Sequence, residues 1–390
     1  MAGKHAILSA SAAHRWLHCT PSARMTEEIE DSSSVYAAEG TAAHELAELL
    51  LRCELNGNDG ADVDTAHDFM KFNEYYDQSM HDYISEYVGF VIERYNEAKV
   101  KTKDALIFLE QKLDFSEWVP EGFGTGDVVI IADGIIEVID LKYGKGVEVS
   151  ADQNPQMMLY GLGAWSEYDY LYDLHTVRMT IVQPRIDNIS TYEVSTEDLL
   201  KWAETTLKPA AQMAWNGEGD FVAGDHCKFC KARAICSARA DFNLDFIGQF
   251  RDADEDLFEG ERLDPLDVSR ILGMSMEIKN WLKDIEEHAL AKALEGIKYP
   301  GYKLVEGRSN RTINDEEAAV SVLAERFSEE EIYNKKLKGI TDLEKLLGKK
   351  NFESYLGPYI IKPPGKPTLV LETDKRPEIN TAADDFNLEI

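Results

Sequence analysis

The segment GDVVIIADGIIEVIDLK (126–142) constrains this chain more than any other stretch. It reads as an apolar run, an Asp133-Gly134 pair and a second apolar run. Asp-Gly between two such runs is a strong short-range hairpin signal, because a type I′ turn requires positive φ at both central residues. With those residues as the turn, Ala132 faces Ile135, and counting outward pair by pair sets Asp127 directly across from Asp140. Opposed residues have β-carbons about 4.5–5.5 Å apart. Side chains alternate with period two, so Lys142 shares the face of Asp140. Two carboxylates opposed in a sheet repel unless something positive lies between them. A divalent cation, with the Lys142 ammonium beside it, meets that need. The plainer alternative is a surface ion pair at a strand end, since Asp-x-Lys triplets are common and only the register match sets this one apart.

The chain of 390 residues is long enough for two or three domains. Its 44% hydrophobic and 29% charged content is ordinary for a soluble globular protein. It has no apolar run of about 18 residues, so no membrane span is expected. The N-terminal MAGKHAILSASAAHRW is too short in apolar residues for a secretory signal. With no export signal, five cysteines are better read as reduced thiols or metal ligands than as a disulfide frame. A cytoplasmic location is therefore expected. The net charge of −31 argues against a high-affinity, free-standing nucleic-acid binder, because phosphate affinity normally comes from Lys and Arg. Part of the excess is segregated: residues 241–260 hold seven acidic side chains and one basic. A locally bound cation, or a partner that delivers DNA, would lessen the objection.

The hydrophobic pattern predicts a short helix over 11–18, a helix over 40–52 with Thr41 as its cap, and a long helix over 78–99. A strand is expected at 105–109, ending near Glu110, followed by the hairpin. Asn154-Pro155 marks a helix start, with Asn as cap and Pro at the first position. Strands follow at 176–183 and 189–195, then a helix capped by Thr196 and running to about Trp215. Beyond residue 240 the pattern predicts a helix over 264–295, a shorter α/β segment over 302–356 and a proline-rich extended tail. The organisation expected is a core over 1–240 and a helical or α+β extension over 241–390. Strands and helices alternate irregularly, so the fold class expected is α/β in the broad sense: a mixed sheet flanked by helices.

Asp127 and Asp140 would be oxygen ligands for Mg²⁺ or Mn²⁺. Lys142 could position or deprotonate an attacking water, or neutralise charge building on a phosphate. Gln156 and Tyr160, four apart on the following helix, share a face and could bond a phosphate oxygen or Lys142; as interior polar residues they would be unremarkable. His44 is a plausible third ligand, although a lone helical histidine is more often structural. Glu110 is a weaker candidate for the same ion. Cys227-x2-Cys230-x5-Cys236 forms a compact thiol cluster that needs a fourth ligand for Zn²⁺ or a four-iron cluster. His226 could serve locally. Cys19 is the better choice, because a cysteine from each end of the core would close it. Cys53 reads as a core thiol, and the spacing leaves iron–sulfur against zinc open.

In this order the motifs resemble the PD-(D/E)XK nucleases of the RecB type. The pieces are His44 in GTAAH, Asp127 in GTGD, Asp140 and Lys142 in IDLK, Gln156 and Tyr160 in QMMLY, and Cys19 with Cys227, Cys230 and Cys236. The subset with an iron–sulfur staple includes the AddB nuclease domain and the CRISPR-associated adaptation exonucleases. The resemblance covers roughly residues 1–240. It implies a restriction-endonuclease-like fold and a Mg²⁺- or Mn²⁺-dependent DNA exonuclease. In it His44, Asp127 and Asp140 would hold the metal, Lys142 would be catalytic, and a [4Fe-4S] cluster (alternatively Zn²⁺) would sit on the four cysteines. The whole chain is also similar to a family encoded by bacteriophages and prophages. That similarity implies a role in phage DNA replication or recombination, beside a single-strand annealing protein. An endonuclease, or an inactive nuclease fold that holds a partner, are the competing expectations. Arg308, Arg311, Lys335, Lys336, Lys338, Lys349 and Lys350 could form a basic surface, against the simpler reading of a solvated exterior.

Overall fold

The computed structural model describes residues 6–29, 35–57, 60–248, 265–306, 313–334, 336–361 and 377. Most of the acidic 241–260 stretch, Arg308, Arg311, Lys335 and the proline-rich tail beyond 361 lie outside the described residues, as do the side chains of Lys349 and Lys350. Lys336 and Lys338 are exposed.

Five helices precede the sheet: α1 (Ala13–His18), α2 (Ser22–Met25), α3 (Val35–Leu55), α4 (Gly60–Phe72) and α5 (Gln78–Lys101). The strands are β1 (Leu106–Asp114), β2 (Phe123–Ala132), β3 (Ile135–Leu141), β4 (Thr176–Gln183) and β5 (Asn188–Ser195), and they lie side by side in sequence order. All neighbours are antiparallel except β3 and β4. That parallel step is spanned by α6 (Pro155–Tyr172), which supplies the long crossover that a parallel pair needs. The expected mixed sheet flanked by helices is the observed fold.

Strands β2 and β3 are buried on both faces, which explains why their sequences are almost continuously apolar rather than alternating. One face, with Val129, Ile131, Ile136 and Val138, packs against α6 and against Trp16 of α1. The other, with Val128, Ile130, Ile139 and Leu141, is covered by α3 and α5. Helix α5 follows from its sequence: Asp77 caps it by accepting from Met80 N–H, and Met80, Ile84, Tyr87, Val88 and Val91 form one buried stripe. Ala42, Ala43, Leu46 and Ala47 of α3 are buried in the same cluster. Each large aliphatic side chain so buried contributes about 1.5–3 kcal/mol relative to exposure.

Several sequence expectations are corrected. Helix α3 begins at Val35, so Thr41 lies inside it and bonds the Ala37 carbonyl instead of capping. Helix α4 was not expected. Strand β1 runs on to Asp114, placing Glu110 within the strand rather than at its end. The cap after β5 is Ser195, whose hydroxyl accepts from Asp198 N–H; Thr196 is already helical. The following helix is built from α7 (Thr196–Trp202), a π turn and α8 (Lys208–Asn216). Beyond α9 (Ser237–Gly248) and α10 (Pro265–Leu294), the described residues form α11 (Glu316–Ala324), α12 (Glu329–Ile332), α13 (Ile340–Leu347) and α14 (Lys349–Leu356). No strand occurs among the described residues past Ser195, so the expected α/β character of 302–356 is not found there. No described helix is long and apolar enough to cross a membrane.

Strand β3 carries a buried charge at Glu137. Glu137 is 5% exposed, and its carboxylate takes hydrogen bonds from Arg94 (Nε 3.0 Å, Nη2 2.9 Å) and Arg178 (Nη1 3.3 Å). Removing it leaves two guanidinium groups without their shared anion, although each is about one-fifth exposed and partly rehydrates. Glu137→Ala is expected to lower the unfolding free energy by about 2–4 kcal/mol, read from urea denaturation.

Candidate metal centre

The hairpin has the register read from the sequence: Ala132 pairs with Ile135, and the ladder continues to Val128 opposite Ile139. It stops there, one pair short of Asp127 and Asp140. At that point β3 stays bonded to β4, with Asp140 opposite Ile181 and Leu141 opposite Val182. The Leu141 N–H is instead taken by Asp127 Oδ2 at 2.7 Å. The strands therefore splay, and an aspartate carboxylate occupies the gap. The two carboxylates adjoin, but not as a directly opposed pair.

Asp127 uses its other oxygen, Oδ1, 3.3 Å from His44 Nδ1 on α3. Burial disfavours the imidazolium, but the bond to Asp127 and then its charge outweigh this and raise the His44 pKa. Glu110 joins them from β1. It sits between the pairs Leu109–Val128 and Gln111–Gly126, with a left-handed φ of 49° that a glutamate rarely adopts. Burial, and then the charge of Asp127, push its carboxyl up to about 7. One ligand atom each from His44, Glu110 and Asp127 lie within 4.8 Å of one another, and among the described residues no other group of three metal-ligating side chains is so placed.

Asp140 stands beside this group. It is 2% exposed, accepts from Gln156 Nε2 at 3.3 Å, and has Oδ2 2.7 Å from Lys142 Nζ. Lys142 is thus the charged partner of Asp140 Oδ2. Burial raises the Asp140 pKa; Lys142 opposes the rise and Asp127 adds to it. For Lys142, burial works against the charge, but Asp140 and then Asp127 outweigh it and hold the ammonium above its ordinary value. Gln156 also donates to the Tyr160 hydroxyl at 3.1 Å, linking α6 to the site. Helix α6 is placed by the Asn154 cap, which accepts from Gln156 N–H and Met157 N–H. Gly124 of the GTGD motif makes room for this helix, since a β-carbon there would come 2.6 Å from Tyr160 Cε1. Two residues have no sequence motif that singles them out as site residues. Arg185 stacks over Tyr143 at 4.5 Å and pairs with Glu39 at 3.1 Å, tying the start of α3 to the strand end that carries Lys142. Tyr87 is buried with its hydroxyl unpartnered.

The donor set fits a divalent cation. His44, Glu110 and Asp127 bring three ligand atoms within 4.8 Å of one another, and burial with neighbouring carboxylates pushes both Glu110 and the adjacent Asp140 toward protonation. Two carboxylates and an imidazole suit Mn²⁺ or Mg²⁺, the imidazole favouring Mn²⁺.

At the other end of the core, α1 leads into Cys19, which lies near the later thiols. Thr20 donates to the Glu218 carbonyl at 2.6 Å, and Arg24 bonds the Trp215 carbonyl while stacking on its ring at 4.6 Å. Cys227 lies in a 3-10 turn (Asp225–Phe229), Cys230 follows it and Cys236 precedes α9. His226 sits between thiols. Hydrogen bonds to Cys19 and then Cys227 push its pKa up to about 10. Burial raises Cys19, but the His226 bond outweighs it and the thiol is lowered. No three of these thiol and imidazole ligand atoms come within 4.8 Å of one another. Cys53 is a buried thiol of α3, as expected.

Residues 5–377 match the family described as Protein of unknown function (DUF2800). The chain belongs to the DUF2800 family. Two solved structures resemble this DUF2800 chain weakly. A candidate exonuclease from Eubacterium rectale is 12% identical, over 55% of this chain and 82% of its own, with a TM-score of 0.32. The protein SSO0001 is 14% identical, over 58% of this chain and 96% of its own, with a TM-score of 0.21. At these scores neither likeness carries an argument.

The Glu110 shift has a measurable consequence. A cation must displace the proton that this carboxyl holds below pH about 7. Mn²⁺ affinity, measured by titration calorimetry, should rise between pH 6 and pH 8, steeply below 7 and shallowly above, with proton release on binding at the acid end.

Proposed function

We propose that this DUF2800 protein is a metal-dependent deoxyribonuclease, with His44, Glu110 and Asp127 holding Mn²⁺ or Mg²⁺ and Asp140 and Lys142 beside them. The observation that carries the reading is the convergence of an imidazole and two carboxylates at the splayed end of the hairpin, next to a carboxylate–ammonium pair. When bound, a divalent cation supplies polarisation of the scissile phosphate and a lowered pKa for an attacking water. The chain's own groups have separable tasks. Asp127 orients His44 and closes the open ladder end. Lys142 is held protonated, which suits it to neutralising charge that develops on a phosphate oxygen rather than to taking a proton. Asp140 anchors that ammonium, and Gln156 fixes Asp140 while bonding Tyr160.

The resemblance to RecB-type nucleases supports linear DNA as substrate and exonucleolytic cleavage. The likeness to phage and prophage proteins supports a role in recombination or replication beside a single-strand annealing protein. Wild-type protein with Mn²⁺ is expected to degrade end-labelled linear DNA and leave closed circular DNA intact. Lys142→Ala and Asp140→Ala should each lose at least about 10²-fold in rate; undiminished cleavage in both variants would remove the assignment. The net charge of −31 favours one competing reading, an inactive nuclease fold that holds a partner protein. It predicts specific co-purification and no turnover with any divalent metal.

Cys19, Cys227, Cys230 and Cys236 are proposed to hold a [4Fe-4S] cluster. Protein purified without oxygen should be brown and contain iron and sulfide. Colourless protein with stoichiometric zinc would replace the cluster by the alternative ion.

A further inference from the structure

Tyr87 is a buried polar group whose chemistry the preceding reading leaves unused. It lies on α5, 1% exposed, and its ring packs in the cluster that contains Ala43 and Ala47 on either side of His44. The same cluster holds Val128 and Ile139, the last ladder pair before the splay, and Leu141, whose N–H bonds Asp127. The phenol thus belongs to the same buried cluster as residues that flank three of the site's side chains. Its hydroxyl has no hydrogen-bond partner. An orphaned buried hydroxyl is costly, and in native proteins such a group usually marks an ordered water or ion. Burial, then Asp127, Asp140 and Glu110 in that order, push the phenol well above its ordinary value, so it remains an O–H donor and senses all three carboxylates.

Phenylalanine would fill the same volume without this penalty, so packing does not account for the oxygen. Mg²⁺ and Mn²⁺ sites usually retain water, and groups that bond those waters orient the site nearly as firmly as the ligands do. Resting on the metal-centre reading above, we infer that Tyr87 is a positioning residue: its hydroxyl hydrogen-bonds a water of the hydrated cation held by His44, Glu110 and Asp127.

Tyr87→Phe separates this role from a structural one. Mn²⁺ binding to the full chain is followed by electron paramagnetic resonance, and thermal unfolding is measured on metal-free protein. The expected result is about 10-fold weaker Mn²⁺ binding with a metal-free melting temperature unchanged or raised. Wild-type Mn²⁺ affinity in the variant overturns the inference. So does weaker binding accompanied by a lower metal-free melting temperature, which would make Tyr87 a structural residue. Wild-type protein that binds Mn²⁺ with this Tyr87 dependence yet cleaves no DNA would remove the nuclease reading and leave the inference standing. Absence of Mn²⁺ uptake by the wild type would remove both.

Discussion

The separation of β2 from β3 at Asp127, sealed by a single hydrogen bond from Leu141 N–H, is the constraint on which the rest of the site depends. An unpaired backbone N–H inside a sheet is costly, and here a side chain rather than a strand satisfies it. That substitution fixes the Asp127 carboxylate in the plane of the sheet. Its second oxygen is left for His44 from the covering helix, and the space alongside is left for Glu110. A ladder continued by one more pair would have turned both aspartates onto a face of the sheet and closed this space.

Electrostatics then assigns tasks among similar groups. Three carboxylates share a small volume with one ammonium and one imidazole. Glu110 is pushed up to about 7 by burial and then by the charge of Asp127, with His44 opposing. Asp140 is more deeply buried, but Lys142 opposes its rise. The site is thus overcharged in the negative sense, and a divalent ion resolves that imbalance. A net charge of −31 spread over the chain is compatible with phosphate chemistry only where such local compensation exists.

The sequence made the hairpin and its register from Ala132–Ile135 to Val128–Ile139 readable, because period-two alternation is a local rule, although the turn is not type I′: of its two central residues only Gly134 has positive φ. Its reading stopped at the ladder end, since whether a strand pair continues depends on the competing bond to Asp127 and on the hold of β4 on β3. Glu110 was undervalued for a related reason: its strand was expected to end there, and a left-handed φ has no signature in a glutamate. Tyr87 lies in the buried stripe of α5, and periodicity reports the face of a helix and not the fate of a hydroxyl. Helix α4, with Ala66 and Phe69 as its buried residues, offered little to read. The C-terminal helices contradict the α/β expectation because short β-branched runs there resemble strands when no sheet edge is there to receive them.

The bond from Thr20 to the Glu218 carbonyl joins residues 198 positions apart. A ribosome adding about 5–20 residues per second needs roughly 10–40 s to cover that interval. Throughout it, Leu8 and Trp16, both fully enclosed in the finished protein, have no α8 segment to lie against. Until α8 is made, the segment around Trp16 therefore has only the sheet and α6 to pack against, and its burial is completed late.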